Sequence, residues 1–124
     1  MAEAPRVLLV EDDPAIRQVL ADALGLDGFE LRQVEDGQAA LDLLGEWRPD
    51  VILLDLMMPR MDGWQFRAAQ LGRSDLRDIP VVVVSASRHL DERSRELGAA
   101  AILAKPFDLE NLVQVVRQNA GPPG

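Results

Sequence analysis

The sequence predicts an α/β fold: a doubly wound (βα)5 parallel sheet of five strands, with helices on both faces. Three observations carry that expectation. Residues 7–10, 51–54 and 81–84 are short, continuously apolar runs, as expected for strands covered on both faces in the interior of a parallel sheet. Helix-period segments separate the runs and no hairpin signal joins them, which is the pattern of β-α-β crossovers. The chain has 124 residues, 48% of them apolar, enough to bury one core and too few for two.

Taken in order, residues 7–10 form the first strand. Asp13 followed by Pro14 is an N-cap with proline in the first turn. Ile16, Val19, Leu20, Ala23 and Leu24 make the apolar stripe of the helix it opens, and Asp27-Gly28 closes it. In residues 29–34, Phe29 and Leu31 interleave with Glu30 and Arg32, the pattern of a half-exposed edge strand. Asp36-Gly37 opens a second helix with Ala40, Leu41 and Leu44 on one face; Gly45 and Pro49 bracket its exit. After the strand at 51–54, a third helix follows Asp62-Gly63, carries Phe66 and Ala69, and ends near Gly72.

The strand at 81–84 comes next, and then the weakest helical segment. Between Leu90 and Leu97 nearly every residue is charged or polar, so this helix is either short and surface-lying or marginally stable. Ala101 to Ala104 is a fifth strand, short and low in β-propensity. Asp108 caps the last helix, where Leu109, Leu112, Val113 and Val116 follow the i, i+3, i+4, i+7 rule. One edge-type and three buried-type strands fit the order 2-1-3-4-5. Residues 1–124 are expected to form a single domain with flexible ends at 1–5 and 120–124.

Composition excludes several classes of function. Twenty-one acidic residues against thirteen basic ones give a net charge of −8, and no run of Lys or Arg could track a phosphate backbone; no direct nucleic-acid binding is expected. The absence of cysteine removes disulfides, thiolate zinc sites and cysteine nucleophiles. The single histidine, His89, leaves no His-rich metal site and no basis for a Ser/His/Asp triad. Residues 1–6 lack an apolar signal core and no apolar run approaches transmembrane length, so a cytoplasmic protein with no membrane association is expected.

Each buried-type strand runs into polar residues. The first ends at Glu11, Asp12 and Asp13, the third at Asp55, the fourth at Ser85 and the fifth at Lys105. In a parallel sheet these ends share one rim, where open α/β folds bind ligands. Clustered carboxylates repel unless a cation intervenes. Oxygen ligands without His or Cys select a hard ion, most plainly Mg²⁺. A carboxylate beside such an ion and an ammonium can attack a phosphoryl group and form an aspartyl phosphate. Among thirteen basic residues Lys105 is the one lysine, a compact point charge suited to a phosphoryl oxygen.

At this point the residues resemble the receiver domain of two-component response regulators. The resemblance rests on Val7 through Asp13, on Asp55-Leu56-Met57-Met58-Pro59-Arg60-Met61-Asp62-Gly63, on Pro80 to Ala86, and on Lys105-Pro106-Phe107. These motifs cover the full length in family order and spacing. The resemblance implies a flavodoxin-like sheet and an Asp55 that accepts a phosphoryl group from a sensor histidine kinase or a histidine phosphotransfer protein. It implies that Glu11, Asp12 and Asp55 hold Mg²⁺ together with the backbone carbonyl of Met57, and that Lys105 pairs with phosphoryl oxygens. Ser85 would move towards the phosphate, small Ala86 would leave room for access, and Pro106 would follow a cis peptide bond. The side chain at Met57 and that at Ser87 occupy places that influence phosphate lifetime in similar proteins.

One position departs from the family pattern. Three residues before the lysine, receivers commonly carry Tyr or Phe; here Ile102 stands there and the chain has no Tyr. The expectation is that phosphorylation chemistry survives while the aromatic readout does not operate; either the signal passes instead through residues 88–98 or the output is altered. A single-domain switch, chemotaxis-regulator-like or an intermediate in a phosphorelay, is the leading reading, a monomer or weak dimer whose output is a downstream protein target. The surface with Arg88, Arg93, Arg95 and Arg117 is a candidate partner face. Two enzyme or cofactor readings compete. A Mg²⁺-dependent phosphatase would want a second Asp where Met57 stands, and a flavin binder would want a Ser/Thr/Gly-rich loop where Glu11-Asp12-Asp13 stands. A constitutive docking module is the remaining alternative.

Overall fold

Glu11, Asp12 and Asp55, at the ends of the first and third strands, meet at one rim. The computed structural model describes residues 4–55, 63–85, 98–104 and 108–120. Five strands pair in parallel in the order 2-1-3-4-5: β1 (Arg6–Val10), β2 (Glu30–Val34), β3 (Val51–Asp55), β4 (Val81–Ser85) and β5 (Ala101–Ala104). Helices α1 (Pro14–Leu26), α2 (Gly37–Leu44) and α3 (Gly63–Leu71) and a C-terminal helix (Leu109–Asn119) cover the sheet. Residues 90–97, read above as a weak helix, lie outside the described residues, as do the ends at 1–3 and 121–124.

The period-2 geometry of a strand explains how continuous apolar runs feed two cores at once. On β1, Val7 and Leu9 face one side, with Val51 and Leu53 of β3 and Val82 and Val84 of β4. Leu20, Ala21 and Leu24 of α1 and Leu112 and Val116 of the C-terminal helix close over them. Leu8 and Val10 face the other side with Ile52, Leu54, Val81 and Val83, under Ala40 and Leu44 of α2 and Phe66 of α3. Nearly all of these strand side chains are wholly buried.

Caps set the helix starts. Asp13 accepts from the amides of Ala15 and Ile16, at 2.9 and 3.3 Å, with Pro14 in the first turn of α1. Asp36 accepts from Ala39 at 2.8 Å, and Asp108 from Glu110 at 2.9 Å. Each such carboxylate satisfies an amide that the helix itself leaves unpaired.

Three expectations need correction. Phe29 precedes β2 and does not alternate within it; its amide donates to the Leu24 carbonyl and its ring enters the α1 core. Val19 is not on the buried stripe of α1 but 53% exposed, and Ala21 is buried in its place. On α3 Phe66 is buried as expected and Ala69 only half-buried, but the helix also buries two polar residues, Arg67 and Gln70. Desolvation costs displace the guanidinium of Arg67 below its usual pKa. An apolar-periodicity reading has no means of placing such residues inward.

Candidate functional site

The site begins where the β1 ladder stops. The amide of Glu11 donates to the Val34 carbonyl of β2 at 3.1 Å, and the chain then turns through Asp12 into the Asp13 cap. Asp55 is the last residue of β3, opposite Val84 of β4. Adjacent parallel strands therefore deliver Glu11 and Asp55 to the same edge. Both are buried, whereas Asp12 is more open to solvent. One carboxylate oxygen from each of Glu11, Asp12 and Asp55 lies within 4.8 Å of the other two. The sequence reading brought these three together, and the structure places them so.

The remaining residues of the reading divide in two. Ser85 closes β4 in register with Ala104, the residue before Lys105, so the backbone of both strands reaches the carboxylate rim. Met57, Ala86, Ser87, Lys105 and Pro106 lie outside the described residues, as do His89, Arg88, Arg93 and Arg95. Ile102 pairs with Val83 and packs, partly buried, against the α2–α3 core. Arg117 is about half-exposed, but its guanidinium is already engaged within the chain. Its guanidinium pairs with Asp27 and lies over the Phe29 ring, 4.9 Å from the centroid. A contact the sequence did not reveal is that of Arg17, whose Nη1 donates to the Glu11 carbonyl at 2.8 Å.

The donor set suits a small hard cation. Three carboxylates offer oxygen only, the ligand type of Mg²⁺ and Ca²⁺. Mg²⁺ holds oxygens at ~2.0–2.1 Å, so its ligands stand about 3–4 Å apart, and it commonly keeps several waters. A cluster spanning 4.8 Å is close to that size. Bringing three carboxylates so near without a cation is electrostatically costly.

The model of the response regulator receiver domain matches residues 7–117, most of the chain. This chain belongs to that family. Receiver domains are the phosphoacceptor switches of two-component signalling, and they bind Mg²⁺ at their acidic site. Among curated relatives, the response regulator MprA of Mycolicibacterium vanbaalenii is 42% identical over 114 residues, covering 90% of this receiver and 48% of the relative. MprA of Mycobacterium tuberculosis is 40% identical over 114 residues, with 90% and 49% covered. The receiver thus spans about half the length of the curated relatives it matches.

Solved structures agree in fold. The signal receiver domain of a signal transduction histidine kinase from Syntrophus aciditrophicus superposes with a TM-score of 0.87 at 33% identity, covering 94% of this receiver and 90% of that chain. Chemotaxis response regulator CheY4 of Vibrio cholerae gives 0.85 at 30% identity, with 94% and 98% covered. The receiver domain of sensor histidine kinase PA1611 from Pseudomonas aeruginosa gives 0.86 at 27% identity, with 96% and 99% covered; that structure has a magnesium ion coordinated in its active-site cleft. Among the described residues of this receiver, no helix is long and apolar enough to cross a membrane.

Proposed function

We propose that Asp55 is the phosphoacceptor of this receiver and that Glu11, Asp12 and Asp55 hold its Mg²⁺, with the Met57 carbonyl as a further ligand. The observation that carries the reading is the meeting of the three carboxylates at the C-terminal rim, with Asp55 at the end of a central strand. A carboxylate oxygen of Asp55 attacks the phosphorus of a phosphohistidine. The new O–P bond forms as the P–N bond breaks, and the imidazole leaves with the electron pair. When bound, Mg²⁺ neutralises charge on the phosphoryl oxygens. Lys105 supplies a second positive charge, Ser85 a hydroxyl donor, and Ala86 leaves space beside it.

The chemistry is limited to the receiver itself: phosphorylation of Asp55 and its hydrolysis, with no external substrate turned over. A sensor histidine kinase or a histidine phosphotransfer protein donates the phosphoryl group, and a downstream protein reads the result. The reaction is proposed to take place in the cytoplasm. The added charge and acceptor oxygens at the rim shift an equilibrium between two conformations. With Ile102 at the position where receivers commonly carry an aromatic residue, the readout runs through residues 88–98. The net charge of −8 favours a protein target over direct contact with nucleic acid or a membrane, and the receiver acts as a monomer or weak dimer.

Intact-protein mass spectrometry after incubation with acetyl phosphate tests the assignment. One added phosphoryl group is expected in Mg²⁺, none in EDTA and none in Asp55→Asn. An adduct that persists in Asp55→Asn would move the acceptor to another residue.

A further inference from the structure

We infer that Arg17 is a positioning residue for the metal-binding carboxylates, acting through the main chain of Glu11. The inference rests on the reading of Glu11, Asp12 and Asp55 as the Mg²⁺ site. The Glu11 peptide lies at the point where regular pairing ends. Its amide makes the last hydrogen bond of β1 to β2, donating to the Val34 carbonyl at 3.1 Å. Its carbonyl lies one residue past the end of β1, at the turn into α1.

Arg17 bonds that carbonyl. It stands one turn into α1, its own amide donating to the Asp13 carbonyl at 2.9 Å. Its Nη1 reaches back to the Glu11 carbonyl at 2.8 Å, in a partly buried setting. The Glu11 peptide is thereby fixed at both ends, by β2 through its N–H and by α1 through its C=O. Asp12 is the next residue and Asp13 is the cap of the same helix. One guanidinium therefore sets the course of the segment that carries two of the three carboxylates.

The choice of bond matters. Among the described residues Arg17 makes no ion pair with the carboxylates six, five and four positions before it; its charge is spent on a main-chain oxygen. A direct pair with Glu11 or Asp12 would compete with a bound cation for the same oxygens. A bond to the Glu11 carbonyl orients those side chains without drawing on their oxygens, the usual arrangement for groups that support metal ligands from behind.

The test uses the 124-residue chain with Arg17→Met, which keeps length and helix propensity but has no donor, and Arg17→Lys, which keeps a donor and the charge. Mg²⁺ affinity is measured by titration calorimetry with MgCl₂. Thermal midpoints are measured in EDTA and in MgCl₂. Arg17→Met is expected to bind Mg²⁺ about 10-fold more weakly, with a midpoint in EDTA near that of wild type and a smaller rise on adding Mg²⁺. Arg17→Lys is expected to stay close to wild type in both.

Wild-type affinity in Arg17→Met would overturn the inference. So would failure of that variant to fold in EDTA, or equal weakness in Arg17→Lys, since either makes Arg17 a scaffold residue instead. Glu11→Gln separates this from the site itself: wild-type affinity there, or no Mg²⁺ binding by wild type, would sink the reading of the carboxylates and the inference with it.

Discussion

Arg67 and Gln70 form a buried pair on one turn of α3, the guanidinium Nη1 donating to the carboxamide oxygen at 2.7 Å. Each then reaches a different connection. The Gln70 Nε2 donates to the carbonyls of Leu76 and Ile79, at 2.9 and 3.0 Å, in the segment that leads into β4. Arg67 Nη2 donates to the Gly98 carbonyl at 3.0 Å, just ahead of β5. Gly98 sits at φ +62°, a left-handed conformation that suits glycine. Two polar side chains thus fix the entries of both β4, which ends at Ser85, and β5, which ends at Ala104, the residue before Lys105 in sequence. Burial penalises the Arg67 charge, and its hydrogen bonds offset that cost.

From this geometry Gln70→Ala is expected to lower stability by about 3 kcal/mol. The side chain is wholly buried; its loss removes the donor to the Ile79 carbonyl and a partner of Arg67, and takes one of two donors from the Leu76 carbonyl, which keeps the Ile79 amide. Each buried group left unmet costs ~1–3 kcal/mol. Urea unfolding measures the loss, and Gln70→Met separates volume from hydrogen bonding. A loss below ~0.5 kcal/mol in Gln70→Met would mean that the Ile79 carbonyl and Arg67 find other partners.

A second contact joins distant parts of the chain more weakly. Arg117 of the C-terminal helix holds Asp27, at the end of α1, through Nε at 2.8 Å and Nη2 at 2.5 Å; Nη2 also donates to the Asp27 carbonyl. The side chains are 49% and 39% exposed, so solvent screens the pair and little of its Coulomb energy survives. Stacking of the guanidinium on Phe29 adds ~0.5–1 kcal/mol. A double-mutant cycle of Arg117→Ala with Asp27→Ala should give a coupling of about 1 kcal/mol or less. It should shrink in 1 M salt. A coupling unchanged by salt would mean that the contact is chiefly packing.

The fold was legible because its strongest signals are periodic or punctual. Continuous apolarity at 51–54 and 81–84 placed the central strands, and Asp13, Asp36 and Asp108 placed three helix starts. The carboxylate site was legible for a topological reason. Residues at strand ends of a parallel sheet must meet at one rim, whatever their separation in sequence. What was not legible depends on side chains crossing between elements. Nothing in an apolar stripe tells that Arg67 and Gln70 point inward, that Val19 points outward, or that Arg17 turns back to Glu11. Phe29 was misread because alternation with Glu30 and Arg32 resembles a strand, while a tight exit from α1 through Gly28, at φ +93°, folds its ring into the core.

The adjacent carboxylates Asp12 and Asp13 are expected to respond to neutralisation in opposite ways. Asp12 belongs to the cluster, where three acidic groups approach within 4.8 Å. Asp12→Asn removes repulsion and should raise stability in EDTA by about 1 kcal/mol, a modest fraction of the Coulomb energy of two charges at such a distance. On the proposed Mg²⁺ site the same change removes a ligand, so Mg²⁺ affinity should fall by at least the 10-fold typical of a supporting group. Asp13 instead spends its carboxylate on the amides of Ala15 and Ile16. Asp13→Ala should cost ~1 kcal/mol of stability while leaving the cluster's three carboxylates in place. Thermal midpoints in EDTA, set beside calorimetric Mg²⁺ titration, read both effects. If Asp12→Asn were destabilising in EDTA, its carboxylate would be making a structural bond that outweighs the repulsion, and the division of labour between the two neighbours would be wrong.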